Sequence, residues 1–196
     1  PEVSPLYTVD RDGARVDMVK VAGHSGTHID TPLHVFNGGA AIADFLPEEF
    51  IFGRPVVVDL RLRDGEIAMP EHLEPSMNEL KQADMAIFRF GTGPVRRQEP
   101  ERFGSRSPGF GGEATQWLRG SCPELRAVGV DLPSIVCIPR AEQTKSAHHE
   151  LLKGRFLIAE DMNLEQDLFG LREVRLCPWL VVGIDGGPCS IVGVME

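Results

Sequence analysis

Five of the six histidines in this 196-residue chain fall in two groups: 24, 28 and 34, then 148 and 149. The first group occupies Gly23-His-Ser-Gly-Thr-His-Ile-Asp-Thr-Pro-Leu-His34. Gly26, then β-branched Thr27, Ile29 and Thr31, then Pro32, all disfavour a helix here. In an extended segment side chains alternate, so positions 24, 26, 28 and 30 share one side. His24, His28 and Asp30 would then project together, with Gly26 leaving room for an ion or a small molecule. Two imidazoles and a carboxylate are ligands for Zn²⁺ or Mn²⁺, with coordination positions left open for water. Pro32 turns the chain and would return His34 to the same place. The competing reading makes His24 and His34 surface or core-satisfied imidazoles and Asp30 a turn cap. A lone His-x-x-x-His is weak; the added acid and third histidine favour the metal.

The second group is Ala147-His-His-Glu-Leu-Leu152, followed by the apolar run Phe156-Leu-Ile-Ala-Glu160. His148 falls near a helix start, and Glu160 ends a strand that begins near Phe156. An acid closing so apolar a run tends to be buried, and a buried carboxylate needs a cation or a proton. Taken alone, that pair is suggestive rather than decisive.

Short β-branched runs punctuated by Gly, Pro and Asp predict the strands that must position these groups. They are Arg54–Leu60, Met85–Phe90, Ala127–Asp131 and Trp179–Ile184, with Ser190–Val194 closing a hairpin through a turn at Asp185-Gly-Gly-Pro188. Ser76-x-x-Glu79 has capping-box spacing and predicts a short helix through Gln82. A second helix is expected over Glu113–Arg119, stopped by Gly120. Gly91–Gly112, rich in Gly, Pro and Arg, reads as a long surface loop of the kind that forms lids. No linker or repeat divides the chain, so residues 1–196 read as a single α/β or α+β domain.

Composition excludes several function classes. With 20 Lys+Arg against 29 Asp+Glu, the formal net charge of −9 disfavours nucleic acid and anionic membrane surfaces. No apolar run approaches the roughly 18 residues of a membrane span. The four cysteines are too sparse for a disulfide scaffold and lack C-x-x-C spacing, which points to a reducing, cytoplasmic setting. No G-x-S-x-G elbow occurs, and Gly109-Phe-Gly-Gly112 follows a loop rather than a strand, so serine-hydrolase and dinucleotide readings fall away.

His24-Ser-Gly-Thr-His28-Ile-Asp30-Thr-Pro32-Leu-His34 resembles the H-x-G-T-H-x-D-x-P-x-H motif of the cyclase family of metal-dependent hydrolases, and all seven defined positions match. That family includes bacterial kynurenine formamidases and isatin hydrolases. Val128–Ser134 is similar to its G-x-D-x-x-S segment, Ala147–Glu160 to its second metal-binding segment, and Asp185–Pro188 to its closing D-G-x-P turn. The likeness runs from about residue 5 to residue 194. It implies a swivelling β/β/α-type fold, a mixed barrel-like sheet flanked by a few helices. It implies His24, His28, Asp30, His148 and Glu160 as ligands for one or two Zn²⁺ or one Mn²⁺, with His34 as general acid/base. It also implies a homodimer or tetramer. Members usually open with a strand carrying D-L-(S/T), and this chain starts after that point, so the first strand is expected to be either missing or replaced.

The implied chemistry is hydrolysis of a small amide. A divalent cation lowers the pKa of bound water from 15.7 to about 7, and His34 would carry the proton to the leaving nitrogen. N-formylkynurenine-like arylformamides are the leading substrates. Ring-opening of an isatin, lactam or lactone by the same groups is the alternative, as is a metal- or ligand-binding relative without catalysis. Arg96, Arg97, Arg102 and Arg106 would attract a carboxylate-bearing substrate or merely solvate the loop. His149 has no assigned role, and His72 is expected at the surface.

Overall fold

Met85-Ala-Ile-Phe88, Ala127-Val-Gly-Val130 and Leu157-Ile-Ala159 are apolar at every position, as strands covered on both faces must be. In the computed structural model, which describes residues 1–196, these runs form the middle of one mixed sheet. The strands in chain order are β1 (Glu2–Tyr7), β2 (Val16–Lys20), β3 (His28–Asp30), β4 (Ile51–Phe52), β5 (Pro55–Asp59), β6 (Ile67–Ala68), β7 (Met85–Arg89), β8 (Gly109–Phe110), β9 (Ala127–Val130), β10 (Leu157–Glu160), β11 (Leu171–Pro178) and β12 (Gly186–Met195). Eight of them join in the order β4-β11-β12-β3-β10-β9-β7-β5. β5, β7, β9 and β10 run parallel; from β10 onward β3, β12, β11 and β4 are joined antiparallel. β11 also comes against β5, so the sheet is nearly closed. This is the α/β domain read from the strand and helix patterns, with the mixed barrel-like sheet that the family resemblance implied.

Alternation along the strands divides the core in two. Ala86, Phe88, Val128, Val130 and Ile158 face outward and pack with Leu118, Ala147 and Leu151. Those last three lie on the helices Gly112–Ser121 and Ser146–Leu151. Ile29, Met85, Ile87, Leu157 and Ala159 face inward against Phe45, Phe50, Phe52, Val174 and Leu176. Each fully buried side chain of this size contributes about 1.5–3 kcal/mol.

Four expectations need correction. Trp179–Ile184 is not a strand: the hairpin's first arm is β11, and 179–185 is its connection. β11 carries Arg172, Glu173 and Arg175 and buries only Val174 and Leu176, so its charged outer face hid it. Asp185-Gly-Gly-Pro188 is correspondingly no hairpin turn, because Gly186–Pro188 already pair with β3. Gly91–Gly112 is not a long loop. It holds the helices Gly93–Gln98 and Pro100–Arg106 and the strand β8. Near Ser76, the helix spans only Met77–Leu80, and the Ser76 side chain makes no capping hydrogen bond.

The N-terminal strands, which carry no long apolar run, form a separate antiparallel ribbon, β1 against β2. Every residue of both strands is exposed. No helix is long and apolar enough to cross a membrane.

Candidate metal centre

Because Ile29 enters the inner core, its neighbours His28 and Asp30 point to the helix-bearing face. Glu160 lies directly opposite His28, and Ile158 opposite Asp30, so Glu160 emerges on that same face. The helix Ser146–Leu151 packs over it through Ala147 and Leu151 and carries His148 inward with them. Only His28–Asp30 is strand, however. His24 reaches the cluster through a turn in which Gly26 takes φ +66°, a conformation that favours glycine. The reading that His24 alternates with His28 along one strand is therefore replaced by a chain that doubles back. His34 arrives as anticipated, on a 3₁₀ turn that starts at Pro32.

All six anticipated side chains meet around Asp30, which is 0% exposed. Oδ1 of Asp30 is 2.8 Å from Nδ1 of His24 and 3.3 Å from Nε2 of His28. Oδ2 is 3.3 Å from Nε2 of His148. Nε2 of His28 is also 3.3 Å from Oε2 of Glu160, and Nε2 of His148 is 3.2 Å from Oε1. The His34 ring lies 4.4 Å from that of His24 and 5.2 Å from that of His148.

Despite this crowding, both carboxylate oxygens of Asp30 and Nε2 of His28 have no hydrogen-bond partner. Nδ1 of His28 is 2.8 Å from the Gly26 carbonyl. A carbonyl only accepts, so Nδ1 carries the proton and Nε2 of the neutral ring presents a lone pair to two carboxylates. Such an arrangement is tolerable only with a cation or added protons between the groups. Without a cation, protons take that place. Burial opposes a charge on His28, yet the facing carboxylates of Asp30 and Glu160 push its pKa up to about 10. The same contest brings His148 to about 9. Burial would raise Asp30, but His148, His24 and His28 hold it well below the usual carboxylate range.

Two sets of ligand atoms converge closely enough to hold an ion: His24, Asp30 and His34, and His28, Asp30 and Glu160. Asp30 belongs to both. Glu160 is oriented from behind, its Oε1 accepting from the Ile135 amide at 2.6 Å and the Ser134 hydroxyl at 3.3 Å.

Sequence reasoning missed one member. Oδ2 of Asp185 is 2.9 Å from Nε2 of His24 and 2.9 Å from Nδ1 of His34. Its only signal was the D-G-x-P pattern, which said nothing of contact.

Three of the four arginines of 91–112 are engaged within the chain. Arg96 pairs with Asp161, Arg97 with Glu165, and Arg102 with Asp64 and Glu99. Gly91 and Thr92 are anchored through their amides by the Asp131 carboxylate, which makes a mobile lid a poor description of their end. His149 is exposed and meets Phe36 edge-on at 5.4 Å between ring centroids. His72 is part-buried, its Nδ1 accepting from the Met69 amide.

The chain resembles proteins of known sequence and of known structure. The chain is 29% identical over 178 residues to a kynurenine formamidase of Erythrobacter litoralis, covering 90% of this chain and 76% of that protein. It is 27% identical over 183 residues to cyclase-like protein 1 of Arabidopsis thaliana, covering 91% and 69%. Among solved structures, isatin hydrolase A from Labrenzia aggregata superposes with a TM-score of 0.81 at 20% identity, over 100% of this chain and 83% of that one. A potential metal-dependent hydrolase with cyclase activity gives 0.71 at 19%, over 98% and 86%. The family model described as "Putative cyclase" matches residues 2–135, which hold the whole first histidine motif. The chain belongs to this cyclase family.

Proposed function

We propose that the protein is a metal-dependent amidohydrolase acting on a small amide, with N-formylkynurenine-like arylformamides as the leading substrate class. The observation that carries the reading is the buried Asp30 carboxylate, unpartnered at both oxygens and facing imidazole nitrogens. The donor set fits a divalent cation such as Zn²⁺ or Mn²⁺. His24, His28, Asp30, His148 and Glu160 would hold one or two such ions, and Asp30, common to both convergent sets, would be a ligand in either case. Such an ion supplies Lewis-acid polarisation and an acidified water.

The remaining work belongs to the chain. His34 is half-buried at the edge of the cluster, and Asp185 occupies its Nδ1. Nε2 is therefore the atom that takes a proton from water and returns it to the leaving nitrogen, a contribution of ~10²–10⁴ in rate. Asp30 and Glu160 fix the imidazoles around them and supply the negative charge that selects a cation. We further propose a cytoplasmic setting, from four cysteines too sparse for a disulfide scaffold, and a homo-oligomer, from the exposed apolar ribbon residues Val3, Leu6 and Met18.

Metal analysis of the purified protein, joined to hydrolysis assays on N-formylkynurenine, isatin and simple lactones, tests the reading. Stoichiometric metal and formamide turnover are expected. Turnover of isatin or lactones alone would move the substrate class to ring-opening. Tight metal without turnover on any of them would leave a binding protein.

A further inference from the structure

Asp185 sits where one carboxylate oxygen meets two imidazoles of different duty. We propose that Asp185 is a positioning residue that sets the tautomers of His24 and His34 in opposite senses, leaving Nδ1 of His24 and Nε2 of His34 as the free lone pairs. The inference rests on the reading of the cluster as a hydrolytic metal site and adds a residue to it.

Both contacts, each 2.9 Å, fall on the same Oδ2. An ionised carboxylate only accepts, so each ring nitrogen facing it must donate. For His24 that nitrogen is Nε2, which turns the Nδ1 lone pair toward Oδ1 of Asp30 at 2.8 Å. For His34 it is Nδ1, which leaves Nε2 unprotonated. His28 reaches the same end through a backbone carbonyl, its Nδ1 donating to Gly26. Ligating imidazoles are generally fixed by such a partner on the other nitrogen. Here one acid does this for a ligand and for the proton carrier together.

The backbone holds this acid rigidly. The Asp185 carbonyl accepts from both the amide of Thr31 at 3.0 Å and its hydroxyl at 2.9 Å. On one side, the Ile184 carbonyl accepts from the Ile42 amide at 3.1 Å. On the other, Gly186 pairs with Asp30, and a Cβ there would sit 2.2 Å from the Ile29 carbonyl oxygen. The chain therefore passes so close to β3 that only glycine fits, which fixes the backbone from which the Asp185 carboxylate reaches both rings.

The test uses ¹⁵N-histidine-labelled full-length protein, with zinc and without it. Long-range ¹H–¹⁵N correlations report which ring nitrogen of each histidine is protonated. Wild type is expected to show His34 as the Nδ1–H tautomer and zinc-loaded His24 as the Nε2–H tautomer. Asp185→Ala should send His34 to a mixture containing the Nε2–H form and lower zinc affinity by about 10–100-fold in chelator competition. Asp185→Asn places a single carbonyl oxygen where Oδ2 now accepts, and should restore both the tautomers and most of the affinity. Circular dichroism on both variants separates loss of fold from loss of positioning. Unchanged His34 tautomer and zinc affinity within twofold in a folded Asp185→Ala protein would overturn the proposal. Failure of the metalloenzyme reading looks different: wild type would bind no zinc, while the His34 tautomer in metal-free protein would still respond to Asp185→Ala.

Discussion

The β1–β2 ribbon and the β3–β10–β12 seam are both antiparallel pairings, yet they hold very different contents. The ribbon pairs residues fewer than twenty apart and leaves each of them exposed. The seam pairs His28 with Glu160 and with Pro188, and buries three consecutive residues of β3. Local pairing alone makes a strand pair but no environment. Distant pairing, covered by a helix, removes water and gives a carboxylate its unusual neighbours.

The largest expected effect lies at the seam. Asp30→Ala removes the one acid common to both convergent ligand sets. Activity should vanish, and metal affinity should fall by more than the roughly 10–100-fold that loss of a supporting partner costs. Chelator competition and metal analysis measure it; a variant that retains full metal would break the contrast with the ribbon.

Next comes Gly186→Ala, whose new Cβ would meet the Ile29 backbone. Overpacking of this kind costs typically about 1–3 kcal/mol, read as a lower urea midpoint. Retained stability would mean that the seam yields more easily than its close approach suggests.

Acidity sharpens the comparison further. His28 and His148 have pKa values raised in the metal-free fold, to about 10 and about 9. Their contribution to stability is fully present below their unfolded value of about 6.5 and is lost as pH rises through those folded values. Metal-free protein should thus lose stability from about pH 7 to 10, while apparent zinc affinity rises over the same window. Titration calorimetry in two buffers of different ionisation enthalpy should detect the protons released on binding. Absence of any buffer dependence would count against protonated imidazoles in the metal-free site.

The smallest effect belongs to the ribbon. Val3 and Val19 face each other across it, both exposed. Val19→Ser should change stability by no more than the ~0.2–1 kcal/mol of a cross-strand pair and leave metal affinity unaltered. That limit holds for the isolated chain; a larger loss that grows with protein concentration would place the ribbon in the proposed homo-oligomer's interface.

What was legible in the sequence follows the same division. The alternation rule placed His28 and Asp30 correctly, because their strand buries Ile29 on the other face. It failed for His24, where Gly26 at positive φ reverses the chain. Apolar runs located β7, β9 and β10, which are covered on both sides. They misled at Trp179–Val182, an exposed apolar connection, and overlooked β11, where alternating charges mark a half-covered strand. Asp185 was out of reach for a different reason. Its partners lie 161 and 151 positions away, and no local pattern encodes that meeting.

That distance has a consequence in time. β3 sits between β10 and the start of β12, so the motif near the beginning of the chain gains its last neighbours from residues 186–188. During synthesis, His24, His28, Asp30 and His34 emerge long before Glu160 and Asp185 exist to meet them. Contacts so far apart along the chain form late. The growing polypeptide therefore carries its histidines as an unfinished set, and the centre matures only once residues 185–188 have been made.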